Sequence, residues 1–189
     1  MNFNPIEIQP RKQLRMSGYD YRMPGYYFVT LCVNNRACLF GEILNGEMHL
    51  NAAGQMIQGV WHRISEQYRG WRVDTLIVMP NHVHVIVVLD DVPTPTLSLP
   101  ELMRNIISYT MTCYRHGVYN HHWLGFYKHL WQRSYYEHVI CNESSLENIR
   151  HYIVNNPTQW EMDEENPENF GLVGAGLRAG PSKKECRPK

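Results

Sequence analysis

No stretch of this sequence approaches the run of about 18 apolar residues that a membrane-spanning helix needs. Its first ten residues, Met1 to Pro10, carry no basic region followed by an apolar segment. A membrane span and a secretory leader are therefore not expected, and the sequence points to a cytoplasmic address. Cysteine is scarce: Cys32, Cys38, Cys113, Cys141 and Cys186 are odd in number, widely spaced and never in a CxxC arrangement. That argues against a disulfide framework and a thiolate zinc site, leaving small buried or incidental thiols. An excess of charge is missing too, because 18 Lys and Arg balance 18 Asp and Glu, whereas phosphate binding usually rests on surplus Lys and Arg. The balance conceals an uneven spread: Glu161, Asp163, Glu164, Glu165 and Glu168 form an acidic stretch, while Arg178, Lys183, Lys184, Arg187 and Lys189 make the end of the chain basic. What is present excludes a disordered chain. The hydrophobic fraction is 43% and the aromatic fraction 12% over 189 residues, enough for one domain with its own core.

The chain opens in strands. Residues 26 to 33 (YYFVTLCV) form a short β-rich apolar run, and Leu39 to Asn51 reads as a hairpin around Asn45-Gly46. Met56, Val60 and Ile64 recur at helical spacing between Ala52 and Tyr68, with Gly70 as the stop. Residues 73 to 79 (VDTLIVM) and 82 to 89 (HVHVIVVL) are strands joined by Pro80-Asn81, a link short enough to force an antiparallel pair. The second is apolar on both faces beyond its histidines, as a central strand should be. Ser98 and Glu101 form a capping box opening a helix that runs toward Gly117, and Leu130 to Ile140 reads as a strand. Ser144 with Glu147 caps a last helix that Pro157 stops near Asn156. The order predicts an α+β sandwich with a central antiparallel sheet, ferredoxin-like with an inserted hairpin. Residues 1–166 form one domain with an N-terminal arm, and 167–189 an irregular tail.

Side chains two apart on a strand share a face, so His82 and His84 project together while Val83 turns away. The pair could share a metal ion; equally, it could be two histidines satisfied by neighbouring hydrogen bonds. Burial in a central strand favours the metal, because two adjacent imidazoles without ion or partner are costly. On the last helix Asn156 follows Tyr152 by one turn and falls between it and the stripe of Leu146, Ile149 and Ile153. Asn156 should face the sheet as a third ligand, ahead of Asn155, with Tyr152 beside the metal. Tyr152 could instead be a packing residue with its hydroxyl at the surface. As a nucleophile it would need help, since an unperturbed phenol has a pKa of about 10. Tyr135 and Tyr136, adjacent in a strand, face opposite ways and read as packing or stacking residues. Arg11, Lys12, Arg15 and Tyr19 combine phosphate-binding charge with a ring that can stack on bases, and Arg104, Arg133 and Arg150 are further DNA-contact candidates, as are Arg115 and Lys128.

The strings RKQLRMSGYDY, YYFVTLCVNNR, LFGEILNGEMHLN, MPNHVHVIV, WQRSYYEHVI and IRHYIVNNPTQW resemble, in that order, the REP-associated tyrosine transposases. These are single-tyrosine HUH endonucleases, HUH standing for His, a hydrophobic residue and His. The resemblance spans residues 11 to 166 and implies a ferredoxin-like sheet with the histidine pair on a central strand. It assigns His82 and His84 as metal ligands, Asn156 as the third, and Tyr152 as the nucleophile. It implies a transposase-like endonuclease and strand transferase for single-stranded DNA near palindromic, REP-like hairpins, using Mg²⁺ or Mn²⁺ and a 5′-phosphotyrosine intermediate. Two alternatives stand beside it: a hairpin-DNA-binding protein without catalysis, and a metal phosphoesterase that activates water. No membrane partner is expected, and a monomer is slightly favoured.

Overall fold

The computed structural model of the protein describes residues 18–92, 97–123 and 129–169. Along the chain run β1 (Gly25–Cys32), a hairpin of β2 (Gly41–Leu44) and β3 (Glu47–Leu50), α1 (Ala52–His62), α2 (Ile64–Gln67), β4 (Trp71–Val78), β5 (His82–Leu89), α3 (Leu99–His121), β6 (Tyr136–Ile140) and α4 (Glu143–Asn155). Four strands make one antiparallel sheet in the order β4-β5-β1-β6. With α1 and α3 as the crossovers, this is the ferredoxin-like plan; β2 and β3 form the separate inserted hairpin.

Every residue of β5 is buried, because both faces of the sheet are covered. On one face Val83, Val85, Val87 and Leu89 pack with Ile57, Val60 and Trp61 of α1 and with Leu102, Met103 and Ile106 of α3. On the other, Ile86, Val88 and Phe28 meet Leu146, Ile149 and Ile153 of α4. Each of those α4 side chains contributes roughly 1.5–3 kcal/mol by burial, which is what seats the helix. The two-residue period places His82 and His84 on the α4 side. A bulge in β4 adds a second tie: the register shifts between Val73 and Thr75, leaving Asp74 as the extra residue. The bulge turns the Asp74 carboxylate to α4, where Arg150 donates to it at 2.8 and 2.6 Å.

The Asn45-Gly46 turn has the two positive φ angles, 54° and 78°, that a tight hairpin requires. Glu101 caps α3 as expected, accepting from the Ser98 amide at 2.8 Å and its hydroxyl at 2.6 Å. Other boundaries differ from expectation. The first helix breaks at Arg63 into α1 and α2. Gly117 does not end α3, which continues to His121; the glycine is needed because a Cβ there would lie 2.2 Å from the Trp123 ring. The strand expected over 130–140 is confined to Tyr136–Ile140, with Trp131 bridging only Val33. The cap of α4 is Asn142, whose side chain accepts from the Ser145 amide at 2.8 Å, not Ser144. Cys32, Cys38 and Cys113 are free thiols as expected, whereas Cys141 is disulfide-bonded. Among the described residues no helix is long and apolar enough to cross a membrane.

Candidate metal centre and its tyrosine

The imidazoles of His82 and His84, 0% and 4% exposed, lie with ring centroids 4.5 Å apart. Each ring is fixed through Nδ1. Asn81 donates its amide hydrogens to the carbonyls of Arg36 (3.0 Å) and Glu165 (2.7 Å), so its Oδ1, 2.9 Å from His82 Nδ1, can only accept. That places the His82 proton on Nδ1 and leaves Nε2 a bare lone pair. His84 Nδ1 is hydrogen-bonded to Thr30 Oγ1 at 2.8 Å, across the Thr30–His84 register pair of β1 and β5. Burial lowers the pKa of His82 to about 4 against the opposing charge of Asp163, and burial together with His82 lowers that of His84 well below the ordinary value. Both rings are neutral at neutral pH, the form that ligates metals.

α4 brings the remaining groups. The Tyr152 hydroxyl is 3.3 Å from His84 Nε2, and its ring packs against His84 and Phe28. Asn156, 2% exposed, caps the helix and faces the sheet as the helical spacing predicted. Past Pro157 the chain forms a short 3-10 helix (Pro157–Met162) and then turns back over the site. Asp163 Oδ2 there accepts from Asn156 Nδ2 at 3.2 Å, and Oδ1 from the Glu165 amide at 2.7 Å. One ligand atom each from His82, His84 and Asp163 lie within 4.8 Å of one another. The acidic stretch beyond Trp160 is thus part of the candidate centre, latched by Arg36 to Glu165 at 3.1 Å.

The donor set suits a hard divalent cation. His82 Nε2 and Asn156 Oδ1 are buried without a hydrogen-bond partner, an arrangement that is costly unless something positive meets those lone pairs. Two imidazole nitrogens, an amide oxygen and a carboxylate supply nitrogen and oxygen ligands for such an ion. The same surroundings oppose ionisation of Tyr152: burial raises its pKa above that of a free phenol, and Asp163, Glu164 and Glu165 raise it further.

Sequence reasoning placed His82, His84, Asn156 and Tyr152 together, and it missed Asp163, Asn81 and Thr30. Nothing local marks Asp163, which lies seven residues past Asn156 across a turn. Thr30 was discoverable from pairing, since a threonine in a buried strand needs a partner for its hydroxyl. Of the DNA-contact candidates, Arg11, Lys12 and Arg15 lie outside the described residues, as does Lys128. Tyr19 is not a free stacking ring: it packs against Tyr21 and Tyr27, with centroids at 5.1 and 6.4 Å. Arg150 is committed to Asp74 and Glu147, so it holds α4 in place. Arg104, Arg115 and Arg133 are exposed. Tyr136 lies on the α4 face against Phe28, and Tyr135 packs with the opposite core.

The fold and the cluster together define a ferredoxin-like α+β domain with a candidate metal centre between its sheet and last helix. The chain belongs to the IS200-like transposase family, whose profile matches residues 25–156, and is accordingly a DNA-processing enzyme of the transposase kind. A protein of Haemophilus influenzae with no described activity is 34% identical over 170 residues, covering 83% of this chain and 93% of its own. Among solved structures, a REP-associated tyrosine transposase bound to a REP hairpin shares the fold with a TM-score of 0.54 at 22% identity, over 76% of this chain and 74% of the other. A transposase from Deinococcus radiodurans aligns at a TM-score of 0.43 and 21% identity, over 75% of this chain and 95% of its own.

Proposed function

We propose that the protein nicks and rejoins single-stranded DNA beside palindromic hairpins, with Tyr152 as the nucleophile and His82, His84, Asn156 and Asp163 holding Mg²⁺ or Mn²⁺. Asp163 is an addition to the ligand set read from the sequence. The observation that carries the reading is convergence within one chain: a phenol 3.3 Å from an imidazole nitrogen whose neighbour ring presents an unpartnered lone pair. A divalent cation bound there would supply positive charge against a non-bridging phosphate oxygen and raise the electrophilicity of phosphorus. The chain's own residues do the rest. Thr30 and Asn81 orient the imidazoles, and the core seating of α4 holds the Tyr152 oxygen beside them. In the reaction the Tyr152 oxygen bonds to phosphorus and the P–O3′ bond breaks. The phenol proton passes to solvent, and the departing 3′ oxygen takes up a proton to become a hydroxyl. The 5′-phosphotyrosine so formed keeps the energy of the broken bond, so attack by a 3′-hydroxyl can reverse the step without a nucleotide cofactor.

Incubation with a hairpin oligonucleotide and Mn²⁺ tests this: the expected product is a protein–DNA adduct that survives denaturation. Tyr152→Phe should leave the DNA bound and intact. Continued cleavage by that variant would instead show a water nucleophile, and absence of any adduct or cleavage with the parent protein would show a DNA-binding protein without catalysis.

A further inference from the structure

A cleft of about 570 Å³ lies between α3 and the segment that enters β6, with Arg104, Ser108 and Met111 on one wall and Arg133, Ser134 and Tyr135 on the other. Among the described residues no carboxylate lines it. Of the acids on its two elements, Glu101 is occupied by Ser98 and Arg22, and Glu137 is buried at 6% exposure. Arg22, Arg36, Arg72 and Arg150 each pair with a carboxylate, while Arg104 and Arg133 are exposed and, among the described residues, have no carboxylate partner. Two guanidinium groups brought to one concave surface from segments about thirty residues apart repel each other unless an anion sits between them.

The surface continues along α3. At about 100° per residue, Arg104, Ser108, Met111, Arg115 and Tyr119 fall on one stripe, and Tyr119 is 84% exposed. From Arg104 to Arg115 is roughly 16 Å along the axis, long enough for successive phosphates of one strand, with a free ring beyond for a base to stack on. The cleft lies on the opposite face of the sheet from the candidate metal centre, but near it across the edge of the sheet. Residues 133–135 lead into Tyr136, which pairs with Thr30, and Thr30 pairs with His84. Two strand spacings, about 10 Å, separate Tyr136 from His84, and β6 is the edge strand.

We propose that this cleft holds the sugar-phosphate backbone of the DNA strand that leads to the scissile phosphate, guided around the β6 edge, with Arg104 and Arg133 clamping phosphates. It rests on the reading of the protein as a nuclease of single-stranded DNA. The test measures binding of a hairpin oligonucleotide with single-stranded extensions, by fluorescence anisotropy across a salt series. Each single-strand phosphate contact contributes about 0.7 to the slope of log K against log salt. Arg104→Ala with Arg133→Ala should therefore lower the slope by about 1.4 and weaken binding at least about tenfold at low salt. Arg104→Lys with Arg133→Lys should keep most of the slope. Arg63→Ala, which removes another exposed cation, at the junction of α1 and α2, should leave it unchanged. An alanine pair with parental affinity and slope overturns the cleft assignment alone, as does an equal loss in Arg63→Ala. A parent protein that neither binds nor cleaves any such oligonucleotide overturns the nuclease reading and this proposal with it.

Discussion

Replacing Asp163 by Asn changes one atom and one charge, and the hydrogen bonds around it make the consequence specific. Asp163 Oδ1 accepts from the Glu165 amide, a bond the Asn oxygen can keep. The new amide nitrogen then faces Asn156 Nδ2, donor against donor. Asn156 relieves this by flipping its amide, which turns a donor toward the centre where an unpartnered oxygen now lies. On the proposed ligand set, the substitution thus removes one anionic ligand and spoils a second. Loss of a merely supporting group around a metal costs 10–100-fold in affinity, so removing a ligand and inverting its neighbour should cost about 100-fold or more. That corresponds to roughly 2.7 kcal/mol. Calorimetric titration with Mn²⁺ measures it, with His82→Ala as the reference for a lost site. Asp163→Asn binding Mn²⁺ within twofold of the parent, while His82→Ala does not bind, would refute the inclusion of Asp163 in the centre.

Three further outcomes are expected. Thr30→Val preserves shape but leaves His84 Nδ1 buried without its partner, costing about 1–3 kcal/mol in urea unfolding and 10–100-fold in Mn²⁺ affinity; Thr30→Ser should restore both. Asp74→Asn weakens the tie between β4 and α4 by about 1–3 kcal/mol at neutral pH. Arg150 holds the Asp74 carboxyl below the usual carboxylate range, so its contribution is complete above the unfolded value near pH 4 and disappears as acid protonates the folded form; parent and variant unfolding curves should converge in that direction. Gly117→Ala drives a methyl into the Trp123 ring, which lies against Tyr114 with centroids 5.5 Å apart. A loss of about 1–3 kcal/mol with altered tryptophan fluorescence should result, despite the gain of about 1 kcal/mol in helix propensity.

What could be read in advance followed local periodicity. The β5 run, apolar on both faces, located a central strand, and its two-residue period aligned His82 with His84. Helical spacing turned Asn156 toward the sheet because only φ and ψ of α4 decide that. Where tertiary contact decides, the sequence was silent or misleading. Gly117 looks like a helix stop, yet its lack of a side chain serves the Trp123 ring. Arg150 looks like a phosphate contact, but a bulge one strand away supplies its carboxylate. Asp163 was seen only as one of several acids in a run, since its place at the centre depends on the turn after Pro157 and on Asn81 capturing the Glu165 carbonyl.

The zero net charge, awkward at first for an enzyme acting on DNA, follows from how charge is distributed. Acids gather at the candidate metal centre, where their charge adds to burial in raising the Tyr152 pKa above that of a free phenol and would repel an approaching phosphate. Arg104 and Arg133, without carboxylate partners among the described residues, line the cleft proposed to hold phosphate. The two regions oppose each other in sign, so affinity and reactivity need not rise together. Binding along the cleft should weaken with monovalent salt, because it rests on exposed charges screened over about 10 Å at 0.1 M. The centre is buried beneath α4 and the returning acidic segment, where screening is much weaker, so its state is set by whether positive charge occupies the space between His82, His84 and Asp163. On the proposed reading, such a chain can rest on DNA in an inert form, its Tyr152 phenol kept neutral by burial and by the neighbouring carboxylates.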